Sequence, residues 1–290
     1  MRYPVRMMTE AELRQRFIAF RDAPEEPGML EAALLVAACD RPDFEPTGVR
    51  ARLAAMTSAA RGYVAGHPHP RARVEGLCYY LKDILGLEGD DAHYYDRDNS
   101  CIDRVLETGR GIPISLAVIY AEVGAGLGLD CEGVNFPGHF LLRVRHDDVD
   151  APPLLLDPFA GLVISHSECQ QYLQRMAGPE QTLGPQHLRR ASALEVLLRM
   201  LNNLKQLAYS NQDLSAALRH SERIQLADPG RQLEHRDRAL IHEQLGDPVS
   251  ATAEWLALVD VIEEGDTKRR ILERIDERLG NKAGSGRVVH

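Results

Sequence analysis

Apolar positions at helical spacing predict that roughly the first 105 residues are mostly helical. Between Val49 and Ala60, apolar side chains recur every three or four residues, and Thr47 is the predicted N-cap of that helix. The run "LEAALLVAACD" predicts an earlier helix that ends before Pro42. A later helix over "HPRARVEGLCYYLKDILGL" begins near a proline and is stopped by Gly86 and Gly89. The polar segment "EGDDAHYYDRDNS" then predicts a loop.

The pattern changes between residues 106 and 188, where helical spacing alternates with short runs of β-forming residues. A helix is predicted over 114–126. Three candidate strands follow it, at 129–134, 140–144 and 154–156. Ser165, with Glu168 three residues later, predicts a capping box that opens another helix. A helix packed on a short antiparallel sheet is the simplest arrangement of these elements, so the predicted class is α+β.

Residues 189–290 are predicted to be helical throughout and contain an internal repeat. Ala217 and Ala251 lie 34 residues apart in similar small-residue contexts, and apolar residues follow each of them seven positions later, at Ile224 and Leu258. A 34-residue period of helix–turn–helix units is typical of tetratricopeptide (TPR) repeats. The alternative is an ordinary helical bundle.

Composition narrows the class of protein. A formal net charge of −9 argues against a general binder of nucleic acid, which needs clustered Lys and Arg. No window approaches the length of apolar sequence that a membrane span requires, and charges stand where a signal peptide would have its apolar core. The cysteines never form a CxxC pair, which predicts free thiols in a reducing cytoplasm; they are Cys39, Cys78, Cys101, Cys131 and Cys169.

A histidine and an aspartate are the first candidates for chemistry. His139 in "FPGHFLLRV" and Asp157 in "LLLDPF" are 18 residues apart, a spacing compatible with neighbouring antiparallel strands. An aspartate beside an imidazole fixes its tautomer and stabilises the imidazolium, as a general base requires. The alternative is a hydrogen bond that only satisfies two polar groups at the edge of a sheet.

A long ordered run carries a family resemblance. "HYYDRDNSCIDRVLETGRGIPISLAVIYAEVGAGLGLDCEGVNFPGHFLLRV", followed by "LLLDPFAG", resembles the core of SirB-type proteins of the transglutaminase-like superfamily. The resemblance implies a papain/transglutaminase-like core over 106–188. Residues 1–105 would form its helical N-terminal part, and 189–290 would form all-α TPR-like repeats.

The resemblance also implies a missing nucleophile. Active members carry a Cys at the start of the central helix, where the helix dipole lowers the thiol pKa, and a His and an Asp on the next two strands. In "GIPISLA" the Cys position is occupied by Pro113, whereas His139 and Asp157 match the family's His and Asp. The family's pair is therefore expected to persist without its nucleophile.

Other residues could replace that nucleophile. Ser115 lies two positions beyond Pro113, about 200° around the helix, and is more readily a capping or packing residue. Cys101 precedes the helix and Cys131 follows it, and either could instead be a small buried thiol. One hypothesis is thus a thiol-dependent amide hydrolase or acyltransferase that uses one of these three residues with His139 and Asp157.

The preferred hypothesis is a non-catalytic protein that binds a peptide or protein partner in the transglutaminase-like cleft, the TPR groove or both. The resemblance points to five peptide-binding residues: Tyr94, Tyr95, Asn99, Asn135 and His139. The alternative for the loop residues is a packed, hydrogen-bonded support for the helix start. His67, His69 and His146 lack further ligands at usable spacing, so neither a metal nor a cofactor is predicted, and neither nucleic acid nor membrane is an expected partner.

Overall fold

The structure, a computed structural model, describes residues 9–24, 27–41, 44–145 and 152–284. The charged N-terminal octapeptide, His146 and the acidic loop after it lie outside the described residues. The protein is mostly helical with a small sheet, which confirms the α+β class. It divides into two compact units, Met1–Asn203 and Leu204–His290. None of the helices that the structure describes combines the length and the apolar composition needed to cross a membrane.

Four helices open the first unit: α1 (Glu10–Asp22), α2 (Met29–Asp40), α3 (Pro46–Val64) and α4 (Pro70–Cys78). The prediction that Thr47 caps α3 is wrong. Pro46 already occupies the first helical position and Glu45 is the N-cap, because a proline at this position gives up an N–H that has no helical partner anyway. The predicted start of α4 at a proline is confirmed.

Helix α4 continues into a π-helical segment, Tyr79–Ile84, and the backbone then leaves it through Gly86, whose φ of 71° favours glycine. Short elements follow: strand β1 (Glu88–Gly89), a 3₁₀ turn (Arg97–Ser100), α5 (Ile102–Thr108) and strand β2 (Arg110–Gly111). β1 and β2 pair in parallel, so the segment before the central helix is tied to the end of the π-helical segment.

The central helix α6 (Pro113–Gly126) is buried along nearly its whole length. It is followed by β3 (Asp130–Val134), β4 (Leu141–Arg145), β5 (Leu154–Asp157) and β6 (Leu162–Ile164). These strands form one antiparallel sheet in the order β3-β4-β5-β6. The predicted helix and the three predicted strands are each found within about one residue of their expected bounds.

The sheet carries a helix on each face. Alternate strand residues point to opposite sides, so one set of side chains faces α6 and the other set faces α7. On one face Cys131 lies so close to Gly124 of α6 that a Cβ on the glycine would be 2.8 Å from the Cys131 sulfur. On the other face an apolar cluster joins the sheet to α7 (His166–Ala177); it contains Val134, Phe136, Leu141, Leu155, Ile164, Cys169 and Leu173.

Helix α7 opens with the predicted capping box, which is confirmed. The Ser165 hydroxyl accepts from the Glu168 N–H at 3.2 Å, and the Ser165 N–H donates to the Glu168 carboxylate at 2.6 Å. In the described residues a 3₁₀ turn (Pro185–Leu188) and five α-helices follow: α8 (Ala193–Ser210), α9 (Leu214–Ala227), α10 (Leu233–Gln244), α11 (Pro248–Val261) and α12 (Asp266–Gly284). The boundary between the two units falls inside α8.

Candidate functional site

The structure brings His139 and Asp157 together. His139 closes the turn that leads into β4, and Asp157 is the last residue of the neighbouring strand β5. The His139 Nε2 atom lies 2.9 Å from Asp157 Oδ2. The Asp157 side chain is almost fully buried, whereas that of His139 keeps 16% of its surface exposed. Within the described residues Nδ1 of His139 has no hydrogen-bond partner, so this nitrogen is available to a ligand.

The surroundings of Asp157 hold it as a carboxylate. Burial by itself would raise its pKa, but the hydrogen bond and charge of His139, with the N–H groups of Ala160 and Phe159, outweigh burial and leave the pKa below its ordinary value. Those two N–H groups donate to Oδ1 at 3.2 and 2.9 Å. The Tyr172 hydroxyl donates to Oδ2 at 3.2 Å. An ionised Asp157 in this setting orients the imidazole.

Phe159 connects the His–Asp pair to the segment that precedes α6. Its ring centroid is 6.2 Å from that of His139, and its carbonyl accepts from the Gly89 N–H at 3.1 Å. Gly89 in turn pairs with Gly111, two residues before Pro113. A Cβ at Gly89 would lie 2.4 Å from the Phe159 ring, so this close approach requires glycine. Contacts therefore run from the pair to the beginning of the central helix.

At the beginning of α6, the Ser115 hydroxyl forms hydrogen bonds with the neighbouring backbone. Pro113 is the first residue of the helix and is buried. The fully buried Ser115 hydroxyl donates to the Asn99 carbonyl at 2.6 Å and accepts from the Ile112 N–H at 3.1 Å. These are the contacts of a capping residue. No hydrogen bond joins Ser115 to His139 in the described residues.

The two cysteines of the alternative hypothesis lie in packed surroundings. Cys131 contacts the last turn of α6, the end opposite to Pro113, and burial followed by the charge of Asp130 raises the pKa of its thiol to about 12. Cys101 is buried at the N-cap of α5. In the part of the protein that the structure describes, Cys131 makes no hydrogen bond to His139.

An aromatic surface borders the pair. We call the group His139, Asp157, Phe159, Tyr94 and Tyr172 the His139 site. The ring of Tyr94 lies 6.2 Å from Phe159 and 5.3 Å from Tyr95, and Tyr172 lies 5.5 Å from His139, all in edge-to-face or tilted orientations. Tyr94 is partly exposed and Tyr95 largely so. The aromatic rings therefore form an apolar surface next to His139, whose Nδ1 atom has no protein partner in the described residues.

Asn99 and Asn135, two of the predicted ligand contacts, occupy different positions. Asn99 is buried, and its amide donates to Asp90 Oδ2 at 3.2 Å and to the His93 carbonyl at 2.8 Å, so it supports the loop from inside. Asn135 is exposed, and its side-chain oxygen accepts a hydrogen bond from Arg199 of α8.

Four residues of this region were not predicted as site residues: Lys82, Phe159, Tyr172 and Arg199. Lys82, in the π-helical segment, donates to the Ala160 carbonyl at 2.6 Å and so fixes the turn after Asp157. Tyr172 and Arg199 reach the site from α7 and α8. Tyr172 and Arg199 had a sequence signal, since each carries a polar group within an apolar helical stripe: Tyr172 three residues after Cys169, and Arg199 within "VLLRML".

The site contains no arrangement of metal ligands. In the described ranges, no group of three or more His, Cys, Asp or Glu side chains lies close enough together to hold a metal ion. The groups that the site offers for binding and proton transfer are the imidazole, the ionised Asp157, the phenol groups and the guanidinium of Arg199.

Comparison with known proteins identifies the family. A family model described as the transglutaminase-like superfamily matches residues 47–202, a segment that contains Pro113, His139, Asp157 and Arg199. The UPF0162 protein PA3419 of Pseudomonas aeruginosa is 31% identical over 269 residues, covering 92% of this chain and 96% of the relative. The UPF0162 protein YchA of Escherichia coli is 27% identical over 273 residues, covering 93% and 97%.

A solved structure of menin, which reveals the binding site for the Mixed Lineage Leukemia protein, matches at 9% identity with a TM-score of 0.42, over 89% of this chain and 71% of menin. A score of this size does not establish a shared fold. The sequence matches do establish descent: the chain belongs to the transglutaminase-like superfamily and, within it, to the UPF0162 family.

Proposed function

We propose that the protein is a SirB-type member of the superfamily that binds a peptide or protein partner at the His139 site without transforming it. One observation carries the proposal. Pro113, which has no nucleophilic atom, begins α6 where the family pattern places a cysteine, while His139 and Asp157 keep their 2.9 Å hydrogen bond. Without a positioned nucleophile, a histidine–aspartate pair contributes little to acyl transfer.

The surroundings of the alternative nucleophiles support the same proposal. Ser115 uses its hydroxyl in capping, with a donor distance of 2.6 Å to the Asn99 carbonyl. The Cys131 thiol has a pKa raised to about 12, so it is not a thiolate at neutral pH. The buried Cys101 occupies a helix N-cap. Each of these positions is better suited to packing than to attack on a carbonyl.

The exposed parts of the His139 site suit an extended peptide. Tyr94 and Tyr95 offer apolar rings that carry a polar hydroxyl, and Nδ1 of His139 can exchange a hydrogen bond with a peptide group. Aromatic side chains of this kind are common anchors in recognition sites because they bury a large area with few rotatable bonds.

We also propose that the second unit carries TPR-like repeats, which would support a role in binding a partner. Helices α9 and α11 begin 34 residues apart, at Leu214 and Pro248. The equivalent positions Ala217 and Ala251 are both fully buried. Stacked helix pairs of this kind form concave surfaces that bind peptides. We place the protein in the cytoplasm, where its cysteines, none of which forms a disulfide in the described residues, stay reduced.

A mass-resolved binding experiment tests the proposal. The full-length protein is immobilised and exposed to a defined library of acetylated hexapeptides and to a glutamine-containing acyl-donor peptide with a primary amine. The expected result is retention of some hexapeptides, recovery of every peptide at unchanged mass, and weaker retention by Tyr94→Ala. Tyr79→Ala is the matched control, because Tyr79 is also an exposed tyrosine of the first unit but contacts Tyr63 and not the His139 site.

Hydrolysis or amine transfer would contradict the proposal. If that activity disappeared in Cys131→Ala, Cys101→Ala or Ser115→Ala, the thiol-dependent amide hydrolase or acyltransferase would be the function instead. Complete absence of peptide retention by the wild-type protein would also overturn peptide binding.

A further inference from the structure

Arg199 is anchored to the turn that carries His139. Its Nη1 atom donates to the Phe136 carbonyl at 3.0 Å and also to the side-chain oxygen of Asn135. The same Phe136 carbonyl accepts from the backbone N–H of His139 at 3.1 Å. One carbonyl oxygen therefore joins the guanidinium of α8 to the turn that carries the imidazole, and the guanidinium has a fixed position in the site.

The other edge of the guanidinium has no protein acceptor. Nη1 uses its donors on Phe136 and Asn135, whereas Nε and Nη2 have no hydrogen-bond partner in the described residues. Together they carry three N–H groups, arranged as the planar fork that binds a carboxylate through two parallel hydrogen bonds. The guanidinium carbon lies 5.6 Å from the centroid of Phe140, which covers part of the group.

No carboxylate among the described residues balances the charge of Arg199. Burial lowers its pKa, and the neighbouring Tyr94 acts in the opposite direction. Two other arginines that are partly or fully buried form ion pairs with acids: Arg143 with Glu132, and Arg238 with Glu254 at 2.7 Å. A partly buried cation without a counter-charge is costly, and a ligand that supplies a carboxylate removes this cost.

We infer that the Nε–Nη2 edge of Arg199 binds a carboxylate of the peptide ligand, so that the His139 site selects acidic peptides or free peptide C-termini. The inference rests on the proposed peptide-binding function and names its ligand class. The carboxylate would accept two hydrogen bonds from Arg199 while the peptide contacts Tyr94, which lies within electrostatic range of the guanidinium. The terminal carboxylate of a peptide and the side chain of an Asp or Glu present the same chemistry.

Three hexapeptide libraries separate these sources. All are N-acetylated. The first lacks acidic residues and has free C-termini, the second is the same library with amidated C-termini, and the third is amidated but contains one glutamate at a varied position. Each is passed over the immobilised full-length protein, and the retained peptides are quantified by mass spectrometry. Arg199→Lys keeps the positive charge but loses the fork, and Arg71→Lys, at an exposed ion pair, is the matched control.

We expect the wild-type protein to retain the first or the third library about tenfold more than the second, since hydrogen bonds to charged groups have this effect on affinity. The preferred library identifies the source of the carboxylate. Arg199→Lys should abolish the preference, and Arg71→Lys should keep it. The wild-type comparison needs no variant, so it tests the inference even if Arg199→Lys folds poorly, which its thermal unfolding would reveal.

Equal retention of the three libraries, reduced by Tyr94→Ala, would overturn carboxylate recognition but leave peptide binding intact. A preference that survives in a folded Arg199→Lys would also overturn the role of Arg199. If no library is retained by the wild-type protein, both the inference and the proposed function fail.

Discussion

At the scale of single residues, the Asp157 carboxylate accepts more hydrogen bonds than the one that orients His139. Its carboxylate receives two backbone N–H groups, the Tyr172 hydroxyl and the imidazole of His139. These contacts depend on a negative charge that burial opposes, so Asp157 contributes to stability as well as to the geometry of the site.

Asp157→Asn tests this dual role through pH. The folded pKa lies below the ordinary value, so the carboxylate stabilises the fold fully above the unfolded pKa of about 4 and loses this contribution as pH falls through the folded pKa. At neutral pH we expect the variant to lose about 1–3 kcal/mol of unfolding free energy, as expected when hydrogen bonds to a charged group are lost.

Urea unfolding followed by circular dichroism measures the difference between Asp157→Asn and the wild type at several pH values. The difference should begin to shrink below about pH 4, where Asp157 takes up a proton in the unfolded chain, and should be lost once the pH is below the lower folded pKa. A variant as stable as the wild type at neutral pH, or a difference that grows in acid, would contradict this assignment.

At the scale of elements, the two-residue strands help to position the aromatic rings of the His139 site. β1 brings Gly89 against Phe159, whose ring contacts both His139 and Tyr94. Lys82 of the π-helical segment holds the same turn through the Ala160 carbonyl. The position of Phe159 therefore depends on segments that are far from it in sequence.

Gly89→Ala should displace Phe159 and weaken peptide retention. The new Cβ would lie 2.4 Å from ring atoms, so either the ring or the strand must move. The matched control is Gly62→Ala in α3, where nothing lies within 4 Å of a Cβ and where we expect a gain of about 0.5–1 kcal/mol in stability. Retention of the hexapeptide library and urea unfolding measure the two effects. Unchanged retention by Gly89→Ala would show that the Phe159 ring does not contribute to binding.

Several elements could be predicted from sequence because their signals are local. The capping box of Ser165 and Glu168 and the apolar spacing of α6 lie within a few residues. The predicted N-cap at Thr47 was wrong because Pro46, an equally local signal, determines where α3 begins.

The remainder of the site depends on contacts between distant segments. Lys82 meets the carbonyl of Ala160, and Arg199 meets Asn135 across 64 positions of the sequence. Spacing and propensity carry no information on such pairs. The family pattern found His139, Asp157 and Tyr94, but it did not predict Tyr172, Lys82 or Arg199 as residues of the site.

At the scale of the whole molecule, the second unit contains its own buried polar network. The ammonium group of Lys205 is buried and lies 2.8 Å from both carboxylate oxygens of Glu234 and from Asp237. The Ser221 hydroxyl donates to Glu234 at 2.6 Å. Removing one ion of such a group leaves the others buried without compensation.

Lys205→Met should therefore destabilise the second unit by about 3–5 kcal/mol. The single tryptophan, Trp255, lies in α11 of this unit, so its fluorescence during urea unfolding reports the unit directly. Arg269→Met, which removes an exposed ion pair with Asp266, is the control and should cost less than about 1 kcal/mol. Equal effects of the two substitutions would show that the Lys205 network is not important for stability.

We propose that an acyl-transfer site persists here without its nucleophile, and restoring that nucleophile is the most direct test. The full-length wild-type protein and Pro113→Cys are each treated with a peptidyl vinyl sulfone, which modifies reactive thiolates, and the adduct is located by mass spectrometry. We predict an adduct at position 113 of the variant, slower labelling of that position when His139→Ala is added, and no adduct on the wild-type protein. Rapid labelling of the wild-type protein at Cys101 or Cys131, or a folded Pro113→Cys that stays unmodified at position 113, would contradict the account.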